Sequence, residues 1–262
     1  MSTLKEDQSG QQESGPRDRI VGAAPVGAND EASAAVAVRD MFSSIAPRYD
    51  LLNHVLSMNV DRLWWNRTAR MFDAILARPD ARVLDLCCGT GDMTFALRRR
   101  MKASSAELIG ADFSHPMLVR AAEKTRNRSV RWVEADALKL PFDSGGFDLV
   151  TAAFGFRNLA NYDHGLAEIY RVLANNGEVG ILDFGEPNGL VGAAYRLYFR
   201  RVLPAVGTLI SGVRGPYAYL PKSVQRFPPP AEMLQRMQTV GFREVSWNPY
   251  TFGIAGVYRG AK

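Results

Sequence analysis

The stretch Val83-Leu84-Asp85-Leu86-Cys87-Cys88-Gly89-Thr90-Gly91-Asp92 decides the fold. A short apolar run stops at a Gly-x-Gly turn, and a helical pattern from about Met93 to Arg100 follows at once. A strand that feeds a helix through so tight a turn opens a strand–helix–strand unit, and such units build parallel sheets covered on both faces. Two glycines one residue apart also let a ligand approach the backbone without an intervening side chain.

The same alternation continues downstream. A second strand, Glu107 to Ala111, stops at Asp112; Ser114 is placed to cap the next helix, with Pro116 in its first turn. Val130 to Val133 and Phe147 to Ala153 read as the third and fourth strands, and Tyr162 to Leu173 as a helix. A turn at Asn175-Asn176-Gly177 leads to the fifth strand, Val179 to Phe184. Gly189 to Phe227 breaks the rhythm with Tyr, Phe, Leu and Arg interrupted by Pro and Gly. A helix at Ala231 to Val240 and strands at Glu244 to Trp247 and Gly253 to Tyr258 close the pattern.

Upstream, Val38, Met41, Phe42 and Ile45 fall at helical spacing, closed by Pro47, and a second helical run spans about Leu63 to Leu76. Residues 1–33, rich in Ser, Gly, Gln and charge, read as a disordered extension. The expected organisation is thus one α/β domain over 34–262, with a helical cap at 34–80 and an insertion at 186–228 that covers the substrate.

The chain has 262 residues, 47% of them apolar and 23% charged, which excludes a disordered chain or a disulfide-stapled miniature. A net charge of +5 permits an anionic partner without selecting one. The two cysteines, Cys87 and Cys88, are adjacent, so they cannot join distant segments. Without CxxC spacing or a His pair spaced for ligation, no metal is expected. There is no signal-peptide core and no run of apolar residues long enough to span a bilayer. A cytoplasmic station is expected, with room for peripheral contact at the inner face of the cell membrane.

In open parallel sheets ligands sit beyond the carboxyl ends of the strands. Here those ends carry Asp85 and Asp92 around the glycine turn, Asp112 21 residues after Gly91, and Glu134-Ala135-Asp136-Ala137 after the third strand. A phosphate cradle asks for a third glycine, but position 94 is Thr. Carboxylates at this turn repel a pyrophosphate and suit a ligand that carries an amino group and a sulfonium. S-adenosylmethionine meets that description and a nicotinamide dinucleotide does not.

The acidic–x–x–x–Gly–x–Gly arrangement, with Asp112 and Asp136 behind it, resembles the class I S-adenosylmethionine-dependent methyltransferases. The resemblance implies a Rossmann-like fold, with a mostly parallel seven-stranded sheet and helices on both faces. It implies Asp85 in the acidic position before the turn, Gly89, Thr90 and Gly91 at the methionine part, Asp112 at the ribose, and Asp136 and Ala137 at the adenine. The flanks are similar to the ubiquinone/menaquinone biosynthesis C-methyltransferases. Phe42 to Asn53 with Arg62-Leu63-Trp64, Phe154-Gly155-Phe156-Arg157-Asn158, Tyr217 to Val224 with Phe227-Pro228, and Thr251-Phe252-Gly253-Ile254-Ala255 carry the likeness, which runs from about Val38 to Lys262. Departures are Asn175-Asn176-Gly177 for Pro-Gly-Gly, Ala153 for Ser, Tyr258 for His, and Asn59 for Gly. Asn is the next residue to accept the left-handed turn that Gly accepts.

That resemblance implies methylation of a ring carbon of a polyprenylated quinol, demethylmenaquinol in the first instance and the methoxy-benzoquinol of ubiquinone synthesis as the alternative. It places Arg157 beside the acceptor, where its charge stabilises a forming phenolate, with Asn158 holding a water and Tyr49 helping to close the pocket. Tyr195, Leu197, Tyr198, Phe199, Val202 and Leu203, interleaved with Arg196, Arg200 and Arg201, would cover the isoprenoid tail, rest on a membrane or form a plain core helix. Homo-oligomers or a quinone-biosynthesis assembly stay open. Two rivals differ in class. One is an RNA methyltransferase, although the turn after strand four lacks the Pro-Pro-aromatic pattern of amino methylation and no nucleic-acid partner is expected. The other is a cofactor-binding subunit without activity.

Overall fold

The computed structural model describes residues 21–262 apart from 24, 26, 47–56, 58, 104, 126–129, 186, 188, 190, 191, 193–196 and 198–215. The apolar run before the glycine turn forms β1 (Arg82–Leu86), in which only Arg82 is exposed. Parallel neighbours flank it: β2 (Glu107–Asp112) on one side and β4 (Phe147–Ala153) on the other. β3 (Arg131–Glu134) extends the sheet beyond β2, and β5 (Leu173–Phe184) beyond β4. β7 (Ala255–Ala261) pairs antiparallel with β5, and β6 (Arg243–Tyr250) antiparallel with β7. The order is β3-β2-β1-β4-β5-β7-β6, which reverses between β1 and β4 and so puts the switch point at the glycine turn.

Helices α1 (Glu31–Ile45), α2 (Val60–Met71) and α3 (Asp73–Leu76) precede the sheet. Then α4 (Asp92–Arg98) follows β1, α5 (His115–Lys124) follows β2, and α6 (Tyr162–Val172) leads into β5. Helices α7 (Pro216–Arg226) and α8 (Pro230–Val240) come before β6. Successive strand residues serve opposite faces. Leu84, Leu86 and Val150 pack with Leu166, Ile169, Met233 and Met237, whereas Val83, Leu108 and Leu149 pack with Trp64, Trp65, Phe72 and Leu97. Burial on both faces is why the central strands read as unbroken apolar runs.

Two expectations are corrected. The extension expected to reach residue 33 stops earlier. Asp30 caps α1, its Oδ1 accepting from the Ser33 amide at 2.7 Å, and the helix begins at Glu31. Before it, Gly22 and Ala23 donate to the carbonyls of Ala160 and Leu159 at 2.9 and 2.7 Å, and Arg226 Nε donates to Gly22 O at 2.6 Å. Backbone docking leaves no period in side-chain polarity, so composition hid it. Residues 1–20 lie outside the described residues. The turn expected at Asn175-Asn176-Gly177 is instead a bulge inside β5, which already pairs at Leu173 with Phe147 before the register shifts; Asn176 has φ +62°. Asn59 has φ +60°, the left-handed conformation expected of it.

Of the insertion, α7 is described, whereas Tyr195, Arg196, Tyr198, Phe199, Arg200, Arg201, Val202 and Leu203 lie outside the described residues; Leu197 is exposed. No helix among the described residues is long and apolar enough to cross a membrane.

The cap is tied to the sheet by Phe72, whose ring lies where a Cβ at Gly180 would sit, 2.5 Å away. Gly180→Ala is therefore expected to lower stability by about 1–3 kcal/mol, measured by urea unfolding. A wild-type midpoint would show that the cap is not packed this way.

Candidate functional site

The loop after β1 is built on left-handed residues: Cys87 at φ +53°, Gly89 at +54° and Gly91 at +89°. For Cys87 that conformation costs about 1–2 kcal/mol, so the surroundings must hold it. They do so from β4. A Cβ at Gly155 would fall 2.3 Å from Cys87 Cβ, so the loops after β1 and β4 touch only because residue 155 is glycine. At Gly91 a Cβ would lie 2.8 Å from the Trp132 ring, which gives that glycine a packing reason as well.

Two clefts open on this loop and share Cys87, Gly89, Ala153 and Phe154. The larger, about 700 Å³, is lined by Asp112, Phe113, Asp136, Ala137 and Leu138 on one side and by Gly155 and Asn158 on the other. The smaller, about 380 Å³, is lined by Trp65, Asp85, Thr90 and Asp92. Gly89, Asp112, Asp136 and Ala137 are brought together in the larger cleft, and Asp85 and Thr90 border the adjoining space.

Each carboxylate has a distinct setting. Asp112 is buried, and its oxygens accept from the amides of Gly89 at 2.8 Å and Ser114 at 2.9 Å; burial nonetheless pushes its pKa up to about 6. Asp85 is fully buried, and its oxygens accept from the hydroxyls of Thr94 at 2.5 Å and Thr151 at 2.7 Å; burial outweighs these bonds and raises it to about 7. Asp136 Oδ1 accepts from the Leu138 amide at 2.9 Å. The Cys87 thiol is pushed up by burial first, then by Asp112, Asp85, Asp136 and Asp183. Of these four, Asp183 is paired with Arg157 and Asp85 is raised to about 7, so Asp112 and Asp136 chiefly give the loop a field that favours a cation over a pyrophosphate. The donor set fits S-adenosylmethionine: Asp112 for the ribose hydroxyls, residues 136–137 for the adenine, and the carboxylate-surrounded turn for the amino and sulfonium end.

Thr90 is buried and accepts from Lys124 Nζ at 3.1 Å, and the same ammonium reaches Asp92 at 3.1 Å, so α5 ties down the turn. Ser114 occupies the cap position of α5, but its hydroxyl pairs with the Ser43 hydroxyl of α1 at 3.0 Å and makes no cap bond.

Arg157 and Asn158, the residues expected at the acceptor, stand in a single 3₁₀ turn, Phe156–Asn158, directly after β4. Both are buried. Arg157 Nη1 donates to Asp183 Oδ1 at 3.0 Å and also to the Phe154 carbonyl, and the Arg157 amide donates to Asp183 Oδ2 at 3.1 Å. Its guanidinium lies over the Phe184 ring, 5.2 Å from the centroid. Asp183 is wholly buried at the end of β5; burial raises its pKa, and Arg157 opposes the rise. Arg157 Nε, Asn158 Oδ1 and the hydroxyls of Tyr219 and Tyr258 are buried without a hydrogen-bond partner among the described residues. Burial pushes Tyr219 up to about 12, against the pull of Arg157 and Arg226, and raises Tyr258 as well. Tyr49 lies outside the described residues.

Asp183 was not among the expected site residues. A signal existed: it ends an apolar strand just as Asp85 and Asp112 do. Tyr219 lies in the family-like block 217–224 and Tyr258 is a departure from His, but only the packing of α7 and β7 reveals that their hydroxyls are orphaned.

Comparison with known proteins agrees with this geometry. Residues 28–262 match the ubiE/COQ5 methyltransferase family. A demethylmenaquinone methyltransferase of Deinococcus radiodurans is 49% identical over 241 residues, covering 91% of this chain and 97% of its own. One of Thermus thermophilus is 49% identical over 223 residues, covering 84% and 99%. A ubiquinone/menaquinone biosynthesis C-methyltransferase UbiE of Geobacter sulfurreducens is 41% identical over 230 residues, covering 86% and 88%. Among solved structures, a SAM-dependent methyltransferase from Thermotoga maritima superposes with a TM-score of 0.60 at 19% identity, covering 85% of this chain and 99% of its own; that likeness speaks for the fold alone. The family match starts three residues before α1 and runs through the cofactor loops, the Arg157 turn and β7, so the chain belongs to the ubiE/COQ5 methyltransferase family.

Proposed function

We propose that this chain methylates a ring carbon of demethylmenaquinol to give menaquinol. By family it is an S-adenosylmethionine-dependent C-methyltransferase of quinone biosynthesis. The naphthoquinol is favoured over the benzoquinol because both relatives at 49% identity bear the name demethylmenaquinone methyltransferase. The observation that carries the acceptor side is the buried Arg157–Asp183 pair beside Asn158, on the loop that borders the larger cleft.

S-adenosylmethionine, when bound, supplies a methyl group on a sulfonium leaving group. The chain's own residues then have a polar task. A quinol hydroxyl must lose its proton, or share it strongly, before its ring carbon becomes nucleophilic. A guanidinium is a donor and a positive charge and not a base, and Arg157 serves the acceptor in that capacity. With Nη1 committed to Asp183 and the Phe154 carbonyl, the remaining N–H groups of Arg157, among them a buried and unpartnered Nε–H, are what it can offer an acceptor oxygen. Asn158 Oδ1, also free, supplies an acceptor for the hydroxyl or for a water that takes its proton. Asp183 positions Arg157 and balances its charge, which makes a buried guanidinium affordable here.

The RNA reading finds little support. Asn248-Pro249-Tyr250, which mimics a base-methylation turn, lies in β6, where the buried Tyr250 hydroxyl meets Thr68 at 3.4 Å. Cys87 and Cys88, whose thiols are raised well above the ordinary range, are poor nucleophiles.

The direct test is turnover of short-chain demethylmenaquinol with labelled S-adenosylmethionine, set against the methoxy-benzoquinol. Faster methylation of the naphthoquinol is expected, and cofactor binding with neither quinol methylated would leave a binding subunit. Asp183→Asn, which removes the charge that positions the Arg157 donor, is expected to lower kcat by about a hundredfold with cofactor affinity kept. Unchanged kcat would remove the positioning role. Asp112 must be ionised to serve the ribose and has its pKa near 6. Calorimetry should find cofactor affinity level above about pH 7 and falling roughly tenfold per unit below pH 6, because protons then compete for the carboxylate. A flat profile down to pH 5 would take Asp112 out of the site.

A further inference from the structure

One apolar side chain is held out into solvent by strained backbone. Thr251, Phe252 and Gly253 all have positive φ, at +47°, +59° and +88°, and Phe252 is 83% exposed. Two consecutive non-glycine residues in the left-handed region are costly, and the exposed Phe252 ring contributes little packing to offset that cost. The turn is nevertheless over-determined. Thr251 Oγ1 accepts from Trp64 Nε1 at 2.9 Å, Ile254 N donates to the Thr251 carbonyl at 3.1 Å, and Gly185 N donates to the Ile254 carbonyl at 2.9 Å.

The Trp64 bond seats the turn against α2, whose outward face continues the feature. Leu63, next to Trp64, is 68% exposed. Around it on the same face stand Arg62, Arg67 and Arg70, all exposed, and Arg99, just past the end of α4, joins them through Asn66 at 3.2 Å. The one carboxylate of α2, Asp61, is buried, and Asp73 just beyond the helix is bonded to Arg100. Leu63 thus projects from α2 among arginines, of which Arg67 also lies over the Tyr250 ring at 4.3 Å, and Phe252 projects from the turn that Trp64 holds against the same helix. This face lies at the carboxyl end of the parallel strands, where Trp64 also meets Phe154 at 5.9 Å between ring centroids.

We infer that this face, the Thr251–Gly253 turn with the outer side of α2, docks on an anionic lipid bilayer. Phe252 and Leu63 enter the headgroup boundary, and Arg62, Arg70 and Arg99 meet lipid phosphates. Apolar side chains that insert while cations pair with headgroups are how a protein rests on a bilayer without spanning it. Charge complementarity selects the bilayer, and the rigid, strained presentation of a phenyl ring selects insertion over a purely electrostatic contact. The inference does not depend on which quinol is methylated.

The test is flotation of the full chain with vesicles of mixed phosphatidylglycerol and phosphatidylcholine, against vesicles of phosphatidylcholine alone. Binding is expected to the first, with the second at least about tenfold weaker. Phe252→Asn removes the ring and gives the position a residue that tolerates positive φ. Its melting temperature should equal or exceed that of the wild type while its partitioning falls about fivefold or more. Arg62→Gln with Arg70→Gln should reduce binding and flatten its salt dependence. Undiminished flotation of Phe252→Asn, or a lowered melting temperature that marks a structural ring, would overturn the inference. So would a dimer in lipid-free solution that Phe252→Asn dissolves, or transfer RNA binding on the same arginines with no vesicle binding.

Discussion

Three parallel strands, β1, β2 and β5, each end on a buried carboxylate at the same edge of the sheet, and every other feature of the site answers the cost of putting them there. A carboxyl group taken out of water must find donors or give up its charge. Asp85 finds two threonine hydroxyls, Asp112 finds two backbone amides of the loops it organises, and Asp183 finds a guanidinium. Three kinds of donor lead to three roles. Hydroxyls lock Asp85 into the scaffold; amides shape the loops while Asp112 still borders the cleft; the guanidinium turns Asp183 into the support of a cation.

The loops obey the same constraint. Cys87 can adopt its left-handed conformation because Gly155 leaves room for it, and Gly155 is where the chain turns into the Arg157 segment. The loop after β1 and the Arg157 turn are therefore one mechanical unit, joined by a contact between a side chain and a residue that lacks one. A larger residue at 155 would separate the two halves before it touched any ligand.

Much of this was legible in the chain. The strand–turn–helix alternation, the seven strands and the carboxylates at strand ends follow from apolar runs that stop at Gly or Asp, because burial on two faces leaves an unmistakable pattern. What stayed hidden depends on partners distant in sequence. Asp183 becomes a site residue only when β5 lies beside β4, and the Gly22–Ala23 segment becomes ordered only through carbonyls at 159 and 160. The bulge at Asn176 looked like a turn because a local preference for positive φ serves both. Resemblance in the flanks, rather than any pattern of polarity, directed attention to Arg157 and the acceptor.

The two adjacent thiols of the glycine turn carry a last consequence. Cys88 is buried and Cys87 half-buried at the cleft, both among carboxylates that with burial push their thiols well above the ordinary range, and a protonated sulfur attacks electrophiles poorly. Oxidised quinones are electrophiles that alkylate thiolates. An enzyme that handles their reduced forms beside its own cysteines thus carries chemical immunity in the same negative field that draws in its cationic methyl donor.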